Sequence, residues 1–219
     1  MNIEHHPSEA LLLDYASGAL REGWSVAIAA HLALCPECRQ VVRDFEAIGA
    51  AFLEELKPTP LSGDRLPDLI SVPLAEVDRL DDVPAPRASI SSPVLPEPLR
   101  RYVGGDLDQV PWRRLGLGAY QCLISTGEDE TSVRLLRIPA GKPVPSHTHG
   151  GLELTLVLHG AFTDTTGQYA RGDLQEASET LEHQPYAAAG EDCICLAVTD
   201  APLRFSSIAA RVVQPLIGI

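Results

Sequence analysis

Between Ala140 and Gly160 the chain reads AGKPVPSHTHGGLELTLVLHG, with His147 and His149 separated by one residue, Glu153 four positions later and glycines at both ends. Residues two apart on an extended strand project from one face, so the two imidazoles share a side. Glu153 follows an even number of residues further on, although Gly150 and Gly151 allow a bend before it. A fourth donor must come from elsewhere, and His183, eleven residues after Gly172, offers one. Three imidazoles and one carboxylate suit Zn, Fe(II), Mn, Ni or Cu, with nothing in the sequence to choose among them. An HxH pair alone reads equally well as two strand surface residues. The added glutamate, the glycines and the spaced histidine make it a metal-site expectation. His159 falls at no ligand position and reads as a solvent-facing or core-satisfied histidine.

A second cluster lies upstream in HLALCPEC: His31, Cys35 and Cys38. Positions 31 and 35 share one helical face, and Cys38 returns from the first turn of the next helix across the break at Pro36. Two thiolates and an imidazole are a soft, zinc-favouring set. A closed tetrahedral site needs a fourth donor, which His5 or His6 can supply from the start of the first helix. A CxxC in a cytosolic protein also serves as a redox pair. No thioredoxin-like βαβ pattern surrounds this one, and that reading leaves His31 without a role. Five cysteines, an odd number, argue against a disulfide framework. Cys193 and Cys195 in DCICLAV face the same side of a strand and are poorly placed for an internal disulfide. They are candidate redox participants or small buried core residues, and Cys122 reads as core.

The elements that must position these residues change character along the chain. SEALLLDYASGAL opens with Ser8 as an N-cap and puts Leu12, Tyr15, Ala16 and Ala19 on one helical stripe. REGW breaks the pattern at Gly23, SVAIAAHLAL begins a second helix, and a third starts at Pro36, which is comfortable in a first helical turn. The third carries Val41, Phe45, Ile48, Phe52 and Leu56 at helical spacing. Three short helices make a core that is marginal alone, and a structural metal would pin them. Half of the chain's 18 prolines fall between Lys57 and Pro98, the composition of a linker, within which PLAEVDRL can form one short helix. From about Arg101, TSVRLLRIPAG, LELTLVLHG, CICLAVTD and LRFSSIAARVV read as short strands of a sandwich or barrel. No internal repeat links the two parts.

Composition narrows the function classes. A net charge of −13 disfavours direct nucleic-acid binding and fits a basic protein partner. No run of 18 apolar residues occurs, so no membrane span is expected, and the N-terminus lacks the pattern of a secretory signal. A cytoplasmic protein is the expectation.

Two resemblances attach to these residues. Gly141, His147, His149, Glu153 and Gly160 stand at the spacing of the first cupin motif, and Gly172 and His183 at that of the second. The second motif departs from the family at Ser178 and Thr180, in place of proline and glycine, and at Ala187, in place of asparagine. His31, Cys35 and Cys38, as Hx3CxxC, resemble the zinc-binding anti-sigma domain, whose upstream histidine corresponds to His6 rather than His5. In that order, with a Pro-rich linker between, the chain resembles ChrR-type anti-sigma factors over nearly its whole length.

The resemblance implies an α+β protein of two domains: a zinc-bound helical domain (1–85), a linker (86–100) and a cupin β-barrel (101–219). It implies zinc on His6, His31, Cys35 and Cys38, and a divalent metal on His147, His149, Glu153 and His183. It implies sequestration of an extracytoplasmic-function sigma factor, released on singlet oxygen or related oxidative stress, with no catalysis. The helices and PLAEVDRL would pack between the sigma factor's two globular regions. Residues 1–100 carry 16 acidic and 8 basic side chains, which suits a basic partner. The competing expectation is a metal-dependent, dioxygenase-like cupin enzyme with a helical accessory domain, which leaves the N-terminal cluster without work. A metal-storage protein has no feature in its favour.

Overall fold

The structure, a computed structural model, describes residues 3–59, 93–116 and 118–206. PLAEVDRL lies outside the described residues, as does the end of LRFSSIAARVV.

Helix α1 (Glu9–Ala16) begins where the Ser8 hydroxyl accepts from the Leu11 N–H, the N-cap arrangement. Ser17 caps its end, so Ala19 falls outside the helix and is exposed. Helix α2 (Glu22–Leu34) starts earlier than the sequence suggested, with Gly23 inside its first turn. The glycine serves close approach rather than helix breaking. A β-carbon there would sit 2.1 Å from Thr131 Oγ1. Arg21 supplies no cap for α2, and Glu128 does so from the barrel side by accepting from the Gly23 N–H at 3.1 Å. In return Glu22, in the first turn where the helix favours a negative charge, accepts from the Gly127 N–H and the Tyr102 hydroxyl. Helix α3 (Pro36–Glu55) starts at Pro36, after Cys35 in extended conformation. Helix α4 (Glu97–Val103), unanticipated among the prolines, packs on α2 and buries Leu99.

The strands are β1 (Arg113–Gly116), β2 (Ala119–Ile124), β3 (Ser132–Ile138), β4 (His147–Thr148), β5 (Glu153–His159), β6 (Ala161–Asp164), β7 (Gly167–Ala170), β8 (Leu174–Ala177), β9 (Tyr186–Ala187), β10 (Cys193–Thr199) and β11 (Arg204–Phe205). They form an antiparallel six-stranded sheet in the order β1-β2-β3-β10-β5-β8, a three-stranded sheet β7-β6-β9 and the pair β11-β4. Alternation gives the large sheet two faces. Leu154, Leu156 and Leu158 of β5 join Leu196 and Val198 of β10, Leu135 of β3 and Ile28 of α2 in one core. The opposite face turns Val157, Cys193 and Cys195 inward against Phe162, Tyr169 and Ala187 of the smaller sheet.

The helices do not form a core of their own. Ala27, Ile28 and Ala30 of α2 are fully buried because the helix has the sheet on one side and other helices on the rest. A fully buried leucine or isoleucine contributes about 1.5–3 kcal/mol, so the sheet supplies what three short helices lack.

Candidate metal centres

The first centre is assembled from three elements. The last turn of α2 carries His31, the start of α3 carries Cys35 and Cys38, and the segment before α1 brings His6. One donor atom from each lies within 4.8 Å of the others. His6 Nδ1 is 3.5 Å from Cys35 Sγ and 3.3 Å from Cys38 Sγ, and Cys35 Sγ accepts from the Cys38 N–H. His31 is completely buried and donates from Nδ1 to the Gly172 carbonyl at 2.9 Å. Its Nε2 has no hydrogen-bond partner among the described residues. Burial brings its pKa down to about 4, so the ring is neutral and Nε2 carries a free lone pair. Burial, with Cys35 alongside, pushes the Cys38 thiol up to about 12. A buried, unsatisfied nitrogen among thiols is costly. A cation reverses that cost and draws off the thiol protons. The N2S2 donor set is that of a closed tetrahedral zinc site. His5, the alternative donor, lies elsewhere: its ring packs on Tyr169 with centroids 4.3 Å apart, and its Nδ1 is 3.7 Å from Asp173.

The second centre lies inside the barrel. His147 opens β4 and His149 follows its end, and His183 faces His147 across an isolated antiparallel bridge. All three are buried and their donor atoms lie within 4.8 Å of one another. His147 Nδ1 donates to the Pro145 carbonyl at 2.8 Å, and His183 Nδ1 to the Asp164 carboxylate at 2.7 Å. With those protons on Nδ1, the two Nε2 lone pairs face each other 3.1 Å apart, an arrangement that a shared proton or a metal ion would stabilise. Among the described residues, neither nitrogen of His149 has a hydrogen-bond partner. Glu153 stands at the edge of the trio, 3.6 Å from His149 Nε2, and accepts from the Thr155 hydroxyl. Burial lowers the pKa of both His147 and His183, which keeps them in the neutral form a metal requires. Three imidazoles with one adjacent carboxylate fit a divalent transition metal that keeps further positions open.

Around this centre lies a shell that sequence reasoning missed. Burial opposes ionisation of Asp164, but hydrogen bonds from Thr166, Gln175 and His183 outweigh it and bring its pKa to about 2. A carboxylate on the far nitrogen of a ligating histidine fixes its tautomer and orientation. In sequence, Asp164 opens the tight turn DTTG and reads only as a turn residue. Cys193 and Cys195 are free, buried thiols whose sulfurs lie 3.4 Å apart in the barrel interior. Cys122 is buried, and His159 pairs with Glu191 on the surface at 2.9 Å.

A His/Cys group on helices, packed against a cupin-like barrel with its own histidine group, defines a two-centre protein. A family model described as the ChrR cupin-like domain matches residues 101–202. Over 219 residues the chain is 48% identical to the anti-sigma-E factor ChrR of Cereibacter sphaeroides, covering 100% of both chains. It is also similar to the crystal structure of Rhodobacter sphaeroides SigE in complex with the anti-sigma ChrR, with a TM-score of 0.78 and 45% identity over 91% of this chain and 100% of that one. The chain belongs to the ChrR family of anti-sigma factors.

Proposed function

We propose that this chain sequesters an extracytoplasmic-function sigma factor and releases it on oxidative stress, singlet oxygen in particular, sensed through the barrel centre. The observation that carries the first half is the free end of α3, where Ile48, Phe52, Leu53 and Leu56 are 56%, 67%, 69% and 68% exposed. A ridge of large apolar side chains marks a surface that a partner covers, and an amphipathic helix suits an apolar groove. The relative in the SigE–ChrR complex is bound to a sigma factor, which supports a sigma factor as the partner here. The net charge of −13 favours a basic one. Family membership supports regulation over the dioxygenase-like alternative.

In this reading His6, His31, Cys35 and Cys38 hold zinc and tie the N-terminal segment, α2 and α3 into the arrangement that presents the ridge. His147, His149, Glu153 and His183 hold a divalent metal; bound there, it supplies the redox or Lewis-acid chemistry that detects the oxidant. Residues 1–85 are the proposed sigma-binding part and 101–219 the sensing part, with 86–100 joining them. No helix among the described residues is long and apolar enough to cross a membrane, and a cytoplasmic location is part of the proposal.

The test is co-expression of the full chain with a candidate sigma factor. We expect a stable complex, lost in Cys35→Ser/Cys38→Ser with a rise in sigma-dependent transcription. His147→Ala and His183→Ala should keep the complex but abolish induction by singlet oxygen. Absence of a wild-type complex, with transcription unchanged in the cysteine variant, sinks the anti-sigma reading. Loss of the complex in the histidine variants would make the barrel centre structural rather than sensory.

A further inference from the structure

The two centres are joined by a continuous set of bonds that converge on one short segment, Gly172 to Gln175. Its first residue accepts the Nδ1–H of His31 at 2.9 Å. Its second, Asp173, accepts with one carboxylate oxygen from the backbone N–H groups of Glu4 at 2.7 Å and His5 at 3.0 Å. The Leu174 N–H then donates to the His5 carbonyl at 3.1 Å, so Asp173 and Leu174 hold the backbone leading into His6 while Gly172 holds the His31 ring. Gly172 is fixed there by more than its carbonyl: its φ is +95° and a β-carbon would meet Ile3 Cδ1 at 2.6 Å.

The same segment reaches the other centre. Gln175 is buried in β8 and donates from Nε2 to Asp164 Oδ2 and Thr166 Oγ1, both at 2.8 Å. Asp164 Oδ2 in turn accepts from His183 Nδ1 at 2.7 Å. A parallel route leaves from the residue before His6. The His5 ring packs on Tyr169, whose hydroxyl is 2.9 Å from Thr166 Oγ1, and the Thr166 hydroxyl donates to Asp164 Oδ1 at 2.6 Å. Both routes end on Asp164 and begin on residues that hold His6 or His31. Gln175, His183 and Tyr169 are buried while Thr166 is exposed, and hydrogen bonds in such a partly buried network reinforce one another.

We propose that Gln175 and Asp164, through β8, couple the two centres, so that the state of the three-histidine group sets how tightly His6, His31, Cys35 and Cys38 retain their metal. This rests on the reading above that both groups bind metal, and it deepens that reading by naming the route between them. Gln175, Asp164 and Tyr169 are positioning residues: none is a metal donor in this reading, and they act through the residues that are, Asp164 directly on His183.

The experiment uses the free full-length chain loaded with cobalt(II), whose thiolate-to-metal charge-transfer absorption reports on the cysteine-bearing centre. Chelator competition followed at that band gives its affinity. His183→Ala should weaken it by about tenfold, the lower end of what loss of an outer partner costs a metal site. Gln175→Leu, with the Asp164–His183 bond left in place, and Tyr169→Phe, with the ring still on His5, should each weaken it in the same direction. Because coupling between binding sites is reciprocal, Cys35→Ser/Cys38→Ser, which empties the thiolate centre, should in turn lower the affinity of the barrel centre. Circular dichroism reports whether Gln175→Leu has folded, and Tyr169→Phe carries the test if it has not. Affinities in His183→Ala and Tyr169→Phe within about twofold of wild type, the range of independent sites, overturn the coupling. A wild-type chain that shows the coupling but binds no sigma factor overturns the anti-sigma reading instead.

Discussion

An imidazole becomes a metal donor when one nitrogen spends its proton elsewhere, and three of the candidate ligands show where that proton goes. His31 gives it to the Gly172 carbonyl, His147 to the Pro145 carbonyl and His183 to the Asp164 carboxylate. That His6, His31, Cys35 and Cys38, and likewise His147, His149 and His183, come together was legible in the sequence, because spacing on a strand or across a helix break is a local property. Their partners were not. Gly172 is 141 residues from His31, and a backbone carbonyl leaves no mark in a sequence. The cysteines divide in the same way. Cys35 and Cys38 were readable from CxxC with His31, whereas the role of Cys193 and Cys195 depends on burial. The hydrogen bond that Cys195 shares with Cys193, and then burial, raise the Cys195 thiol, and the thiolate is the reactive form. Iodoacetamide at mildly alkaline pH should therefore leave Cys193 and Cys195 unlabelled in the native chain and label them after denaturation. Mass spectrometry checks this, and rapid native labelling would contradict it.

At the scale of elements, α3 shows what periodicity reveals and what it hides. Val41, Phe45, Ile48, Phe52 and Leu56 lie on one stripe, yet only the first two pack against the core. The reason is length. Twenty residues of α3 extend about 30 Å, whereas the eight of α1 beneath them reach about 12 Å. The helix outruns its support, and a stripe in the sequence does not say which molecule will cover it. Phe52→Asp should leave the melting temperature of the free chain close to wild type, because the side chain is mostly exposed and has little packing to lose. It should weaken sigma binding by at least about tenfold, as loss of a buried interface anchor does. Calorimetric melting beside a binding titration separates the two effects, and a lowered melting point with unchanged affinity would remove the ridge from the interface. Helix α2 was harder to read because small and apolar residues cover its whole circumference. An all-round apolar helix announces burial without naming the neighbours.

At the scale of the whole molecule, the change from helical stripes to short aliphatic strands was plain along the chain, and it marks two parts. It concealed that they share one core. Ile28 of α2 and Leu196 of β10 belong to the same buried cluster, and Gly23 read as a helix breaker because its contact, Thr131, lies in the other part. The prolines before Arg101 concealed α4 for a related reason. Proline is compatible with a first helical turn, so linker composition and a short docked helix look alike.

The position of α2 between sheet and helices has a kinetic consequence. Amides whose opening requires parting a shared core exchange with solvent only when the molecule opens globally, whereas those on exposed elements exchange through local opening. In deuterium-exchange measurements on the free chain, amides from Val26 to Leu32 should therefore be as slow as those of β5 and β10. Those beyond Gly49 in α3 should be fast until a partner closes over them. Fast exchange in α2 alone would mean that the helical part opens independently of the barrel; matched slow exchange makes the two a single cooperative unit with one soft, partner-seeking end.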